Sequence, residues 1–154
     1  MKSKGVRIRD GMPDDDEILG VSPKDILKYI NFGNELHWAI LEIEATGDLG
    51  EKKWKELHQC ETSDEKMTRI SWNDLKDTSK KFRQVIWFTA IGCKDPADVK
   101  FYKEDVEMYE SCDIVVQVFD GECCEVFSKD HDLIDRLAKK FKDTEFLTPD
   151  WNSK

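Results

Sequence analysis

Residues 113–128, DIVVQVFDGECCEVFS, set two β-branched and aromatic runs around Asp120-Gly121. This is a strong hairpin signal, because a two-residue type I′ turn needs positive φ at both central positions and Asp-Gly accepts that. With those two residues as the loop, Phe119 faces Glu122, Val118 faces Cys123, Gln117 faces Cys124 and Val116 faces Glu125. Side chains alternate between sheet faces. The register therefore predicts Cys123 with Val118, Val116, Ile114 and Phe127, and Cys124 with Gln117, Val115, Val126 and Phe119. Sulfurs on opposite faces cannot share one zinc ion at about 2.3 Å from each, so the pair reads as two separate small hydrophobes. Cys124 is the candidate for a partly exposed thiol.

Outward from the hairpin, the elements follow from local chemistry. Ser128 or Asp130 can cap a last helix whose Leu133, Ile134, Leu137 and Phe141 form one stripe. Upstream, Ser71 caps, Asp74 takes the third helical position, and Ile70 and Leu75 are spaced for a staple, which predicts a helix over 72–83. The run VIWFTAI after Gln84 has the composition of a central strand covered on both sides. LHWAILEIEA, residues 36–45, is another strand, and Ser22, Pro23 and Asp25 open a helix that Gly33 can end. Residues 51–69 give only a helical turn or irregular strand around Trp54 and Leu57, and 103–111 is either a short helix or an extended acidic segment. Near the end, EFLTPDWNSK offers a short edge strand before Pro149.

Residues 1–20 are broken by Gly5, Gly11, Pro13 and Gly20 and change from basic to acidic, which predicts a flexible N-terminal arm with a short strand at VRIR. The expected organisation is that arm followed by a single α+β domain, 21–154. Its fold class is a mainly antiparallel sheet of four or five strands packed with three or four helices.

No motif for catalysis stands out: the chain has no nucleophile elbow, no glycine-rich phosphate loop and no dinucleotide fingerprint. Glu42 and Glu44 share a strand face where they could do acid–base work, although that spacing also describes a solvated face. The expectation is not an enzyme, with no catalytic residue and no cofactor. Cys60, Cys93 and Cys112 lie far apart without a CxxC spacing, and His37, His58 and His131 form no metal-binding pair. His58 with Cys60 is the only close combination. Asp130 and Asp132 lack the glycine and terminal glutamate of a calcium loop, and helix capping explains them. No metal is expected.

Charge is the remaining signal. The formal net charge is −9, which repels nucleic acid and anionic membranes and attracts basic partners. Between Lys103 and Asp132, ten acids stand against two lysines, so most of that excess lies in about a fifth of the chain. Beside Tyr102, Tyr109 and Phe119, these acids form either a surface for a cationic partner or a solvated hairpin and helix cap. There is no apolar signal-peptide core, no long apolar span and an odd number of cysteines, five, which leads to the expectation of a cytoplasmic protein with reduced thiols.

The ISWNDL helix, RQVIWF leading into the central strand, and the closing VFDGECCEVFSKDHDLIDRLAKKF resemble the small acidic cytosolic immunity proteins of bacterial toxin–immunity systems, over residues 70–147. The resemblance implies a stoichiometric inhibitor that neutralises a cognate cationic toxin, such as a nuclease, by covering its active site or a neighbouring surface. On that reading Glu104, Asp105, Glu107, Glu110, Asp120, Glu122 and Glu125 are acidic contacts, with Tyr109 and Phe119 as anchors. The partner is then a basic protein, with no nucleic acid and no membrane, and the chain itself is a monomer or homodimer. The alternative is a small ligand-binding or enzymatic domain with a pocket lined by Trp38, Trp87, His37 and Cys124.

Overall fold

The computed structural model describes residues 2–150; Met1 and 151–154, the last four of the expected domain, lie outside the described residues. Seven strands form one sheet: β1 (Lys4–Ile8), β4 (His37–Gly47), β5 (Thr68–Ile70), β6 (Phe82–Cys93), β7 (Ile114–Phe119), β8 (Cys123–Ser128) and β9 (Thr144–Leu147). Their spatial order is β5-β4-β6-β7-β8-β1-β9, and every neighbouring pair is antiparallel. The strands β2 (Gly11–Met12) and β3 (Asp15–Leu19) make a separate small hairpin. Among the described residues six α-helices accompany them: α1 (Pro23–Leu27), α2 (Glu51–Leu57), α3 (Gln59–Thr62), α4 (Trp72–Ser79), α5 (Asp105–Ser111) and α6 (His131–Lys140). The class is α+β with an antiparallel sheet, as expected, but with more strands and more short helices.

The largest correction concerns the expected arm. Its residues Lys4–Ile8 lie inside the sheet as β1, paired with β8 on one side and β9 on the other. Val6 and Ile8 are fully buried. The short strand expected at VRIR is present within β1, but it is packed in the sheet: Gly5 lies against the Phe127 ring, and Arg7 reaches a buried partner described below.

Local signals otherwise translate closely. Asp25 accepts a hydrogen bond from the Ser22 backbone N–H at 2.9 Å and opens α1. That helix ends at Leu27; Gly33 starts a separate 3-10 turn and lies beneath Trp72, where a Cβ would come within 2.2 Å of the indole. Ser71 accepts from the Asp74 N–H at 3.1 Å, but α4 stops at Ser79 and β6 begins at Phe82, shorter than the expected 72–83. Phe82 is claimed by the core. The strand runs through Gly92 and ends at Cys93. Asp130 caps α6, accepting from the Leu133 N–H at 3.4 Å.

Two cores follow from the sheet's two faces. Phe88, Val116, Val118, Cys124 and Val126 pack beneath α1, α4 and α6 on what we call the inner face. On the outer face Ile91, Val115 and Phe127 pack under α5 and the segment carrying Val99 and Tyr102.

The hairpin keeps its turn and shifts its register. Asp120 and Gly121 have φ values of 50° and 62°, and the Glu122 N–H donates to the Phe119 carbonyl at 2.9 Å, as a type I′ turn requires. Yet Phe119 pairs with Cys123 and Val118 with Cys124, leaving Glu122 as an extra, exposed residue. A tertiary bond accompanies the slip: the Gly121 N–H donates to the Ile86 carbonyl of β6 at 2.9 Å. One residue of slip exchanges the faces. Cys124 therefore belongs to the inner core and is fully buried, while Cys123 is on the outer face at 8% exposure, the reverse of expectation. The two sulfurs remain on opposite faces. Gly121→Ala should cost about 1–2 kcal/mol, because an L residue pays for left-handed φ; chemical denaturation checks it.

Candidate functional site

On the outer face, register sets a row of chemically distinct side chains. Glu42 pairs with Thr89, which pairs with Gln117, which pairs with Glu125, which pairs with Arg7. One step along β4 and β6, Glu44 pairs with Trp87. Trp87 meets Phe119 edge to face, centroids 6.2 Å apart. Both aromatics are half-buried. The packing leaves each ring partly available beside carboxylates.

Electrostatics shows which carboxylates gather there. Burial against the sheet pushes the Glu42 carboxyl up from its ordinary range, and repulsion from Asp105 of α5 and from Glu44 pushes the same way. Three acids from two elements thus share one field. Such a group is relieved by a cation.

The centre of the row is internally satisfied. The Tyr109 hydroxyl donates to Gln117 Oε1 at 2.6 Å, and Gln117 Nε2 donates to Thr89 Oγ1 at 3.3 Å. Tyr109 also stacks on Phe127 at 3.9 Å. Burial, then the charges of Asp105 and Glu125, keeps its phenol protonated well above the ordinary range. Glu125 accepts from Arg7 Nε at 2.8 Å, and Arg7 Nη1 also reaches Glu145 at 2.7 Å. Burial pushes the Glu125 carboxyl up, and Arg7 pulls it partly back.

The residues expected to form the contact surface separate into two groups. Glu104, Asp105, Glu107, Glu110, Asp120 and Glu122 are exposed, and Phe119 is half-buried. None of these six acids makes an ion pair among the described residues. Tyr109 and Glu125 are corrected: at 3% and 1% exposure they belong to the interior, because α5 turns Tyr109 onto Phe127 and the register turns Glu125 toward β1. Other acids of the charged segment have local work. Asp113 accepts from the Lys94 N–H at 2.8 Å, and Asp132 pairs with Arg136 at 3.1 Å.

Glu42, Glu44 and Trp87 are additions to the expected contact residues. Alternation along β4 places Glu42 with Glu44, but nothing local reveals that β6 sets Trp87 opposite Glu44 or that α5 brings Asp105 near Glu42. Trp38, Trp87, His37 and Cys124 do not line a common pocket: Trp38 and Cys124 are in the inner core, and Trp87 lies on the outer face. Trp38 donates its indole N–H to the Gly33 carbonyl at 2.8 Å.

Among the described residues no three His, Cys, Asp or Glu side chains are placed to hold a metal ion. His58 Nδ1 bonds the Trp54 carbonyl at 2.8 Å, and Cys60 Sγ donates to the Leu57 carbonyl at 3.6 Å, so both are engaged by carbonyls of α2. Cys93 and Cys112 do meet, and their mutual hydrogen bond, reinforced by burial, raises the Cys112 thiol far above its ordinary value. That disfavours the reactive thiolate. No helix among the described residues is long and apolar enough to cross a membrane.

Comparisons with models of known protein families, with curated proteins and with solved structures found no match.

Proposed function

We propose that this chain is a stoichiometric protein-binding inhibitor of the immunity type, which neutralises a basic toxin, such as a nuclease, in the cytoplasm. The observation that carries the reading is the meeting of Glu42, Glu44 and Asp105 beside the half-buried Trp87–Phe119 pair. Aromatic anchors bounded by unpaired charge have the composition of an interface centre and rim. Glu104, Glu107, Glu110, Asp120 and Glu122 extend the negative field, which speeds capture of a cationic partner. No catalytic step, metal or cofactor enters this mechanism; inhibition is by occlusion.

The test is a binding titration against a basic protein captured from the source cell at low salt. Reversal of three acids, Glu44→Lys, Asp105→Lys and Asp120→Lys, should slow association by about tenfold or more and flatten its dependence on salt. Unchanged association and salt dependence would sink the proposal. Trp87→Ala should act differently, raising the dissociation rate with a loss of about 2 kcal/mol or more.

A further inference from the structure

We propose that the cleft between α1 and α4 binds a compact, multiply phosphorylated small molecule. The cleft has a volume of about 610 Å³, within the roughly 300–1,000 Å³ of small-molecule sites. Every charged side chain lining it is a lysine: Lys24 and Lys28 from one wall, Lys76 and Lys80 from the other. In a chain with nine more acids than bases, four cations with no acid among them is a local reversal of sign.

Helix geometry sharpens the point. The Lys28 N–H bonds the Lys24 carbonyl at 3.3 Å, and the Lys80 N–H bonds the Lys76 carbonyl at 3.3 Å, so each pair stands one turn apart on a single face. Like charges at that spacing oppose each other. No carboxylate lies within ion-pairing distance of any of the four among the described residues. A helix C-terminus favours a cation, which accounts for Lys28 and Lys80 singly. It does not account for both walls of one cleft.

The remaining lining suits the same ligand. Asn31, Asn34 and Asn73 offer amide donors and acceptors to the hydroxyls of a phosphorylated carrier. One wall is held in place, since Trp72 stacks on Trp38 at 5.1 Å and lies over Gly33. Lysine meets phosphate as a compact charge with three donors, which favours a small anion of high charge density. The chain's overall negative field repels an extended nucleic acid and leaves a small anion that fits the cleft. These residues are separate from the acidic outer face, so either proposal can fail without the other.

The test uses the full chain and inorganic tripolyphosphate, followed by calorimetry at low and moderate salt. Wild type should bind one equivalent, more weakly as salt rises. Lys28→Gln with Lys80→Gln, both exposed residues, should weaken binding by about tenfold or more, while Lys52→Gln with Lys55→Gln, the same charge change on α2, should stay within about twofold. Thermal melting confirms that both variants fold. Absence of binding at low salt, or equal losses in the two double variants, would overturn the proposal. So would wild-type self-association that Lys28→Gln with Lys80→Gln abolishes, because the cleft would then hold an acidic segment of a second copy.

Discussion

A chain beginning at residue 10 should show no cooperative unfolding transition, because removal of Met1–Arg9 takes out β1. The strand lies between β8 and β9, so its loss breaks both ladders and separates β9 from the sheet. Val6 and Ile8 are fully buried, each contributing about 1.5–3 kcal/mol. Loss of Arg7 adds a charge penalty, because it leaves Glu125 without its ionic partner. Together these approach the whole stability of a typical domain, about 5–15 kcal/mol. Circular dichroism during heating checks the outcome. A truncated chain melting within a few degrees of the full chain would show that β1 contributes little.

Arg7→Ala should cost about 3–5 kcal/mol at neutral pH, the penalty for leaving a buried charge unpaired. Glu125 has 2% of its side chain exposed, and its second oxygen has no hydrogen-bond partner among the described residues. The size of the effect should depend on pH in a definite direction. Burial raises the native Glu125 pKa, so the native state holds the proton more tightly than the unfolded chain. This group's contribution is therefore most favourable below the unfolded carboxyl pKa and declines as pH rises toward the native value. Removing Arg7 removes its downward pull, which raises the native value further and deepens the decline. The deficit of Arg7→Ala should then shrink below about pH 4, where the carboxyl is protonated in both states. Urea unfolding of wild type and variant across pH measures this. An equal deficit at acid and neutral pH would rule out an uncompensated Glu125 charge as its cause. The paired replacement Arg7→Met with Glu125→Leu should recover most of the loss, because neither charge then remains buried.

Sequence reading succeeded where the partners were close in the chain. The Ser71 cap and the Asp120-Gly121 turn involve residues within four positions of one another and form as expected, and the α6 stripe forms over Leu133, Ile134 and Leu137, with Phe141 just past the helix end. It failed at Arg7, whose partner Glu125 is 118 positions away. An arginine between valine and isoleucine has the pattern of an edge or an arm until that partner is known. The hairpin divides in the same way, since its turn is local but its register accompanies a bond from Gly121 to Ile86 of another strand.

The acidic surface was legible as a count and illegible as a shape. Ten acids in one segment are visible in the amino-acid order, but order does not show that Glu125 turns inward while the charge of Asp105 is felt by Glu42. The four lysines of the α1–α4 cleft lie in two groups far apart in the chain, and neither stands out alone.

The sequence by itself determined the α+β class, the starts of α1, α4 and α6, the turn type and the concentration of negative charge, because propensities, caps and composition act over one or two helical turns. Tertiary structure alone decided that β1 is interior, which cysteine enters which core, and which carboxylates share a surface. Those outcomes depend on strand pairing between distant residues, and a one-residue slip exchanges every side chain between the two faces.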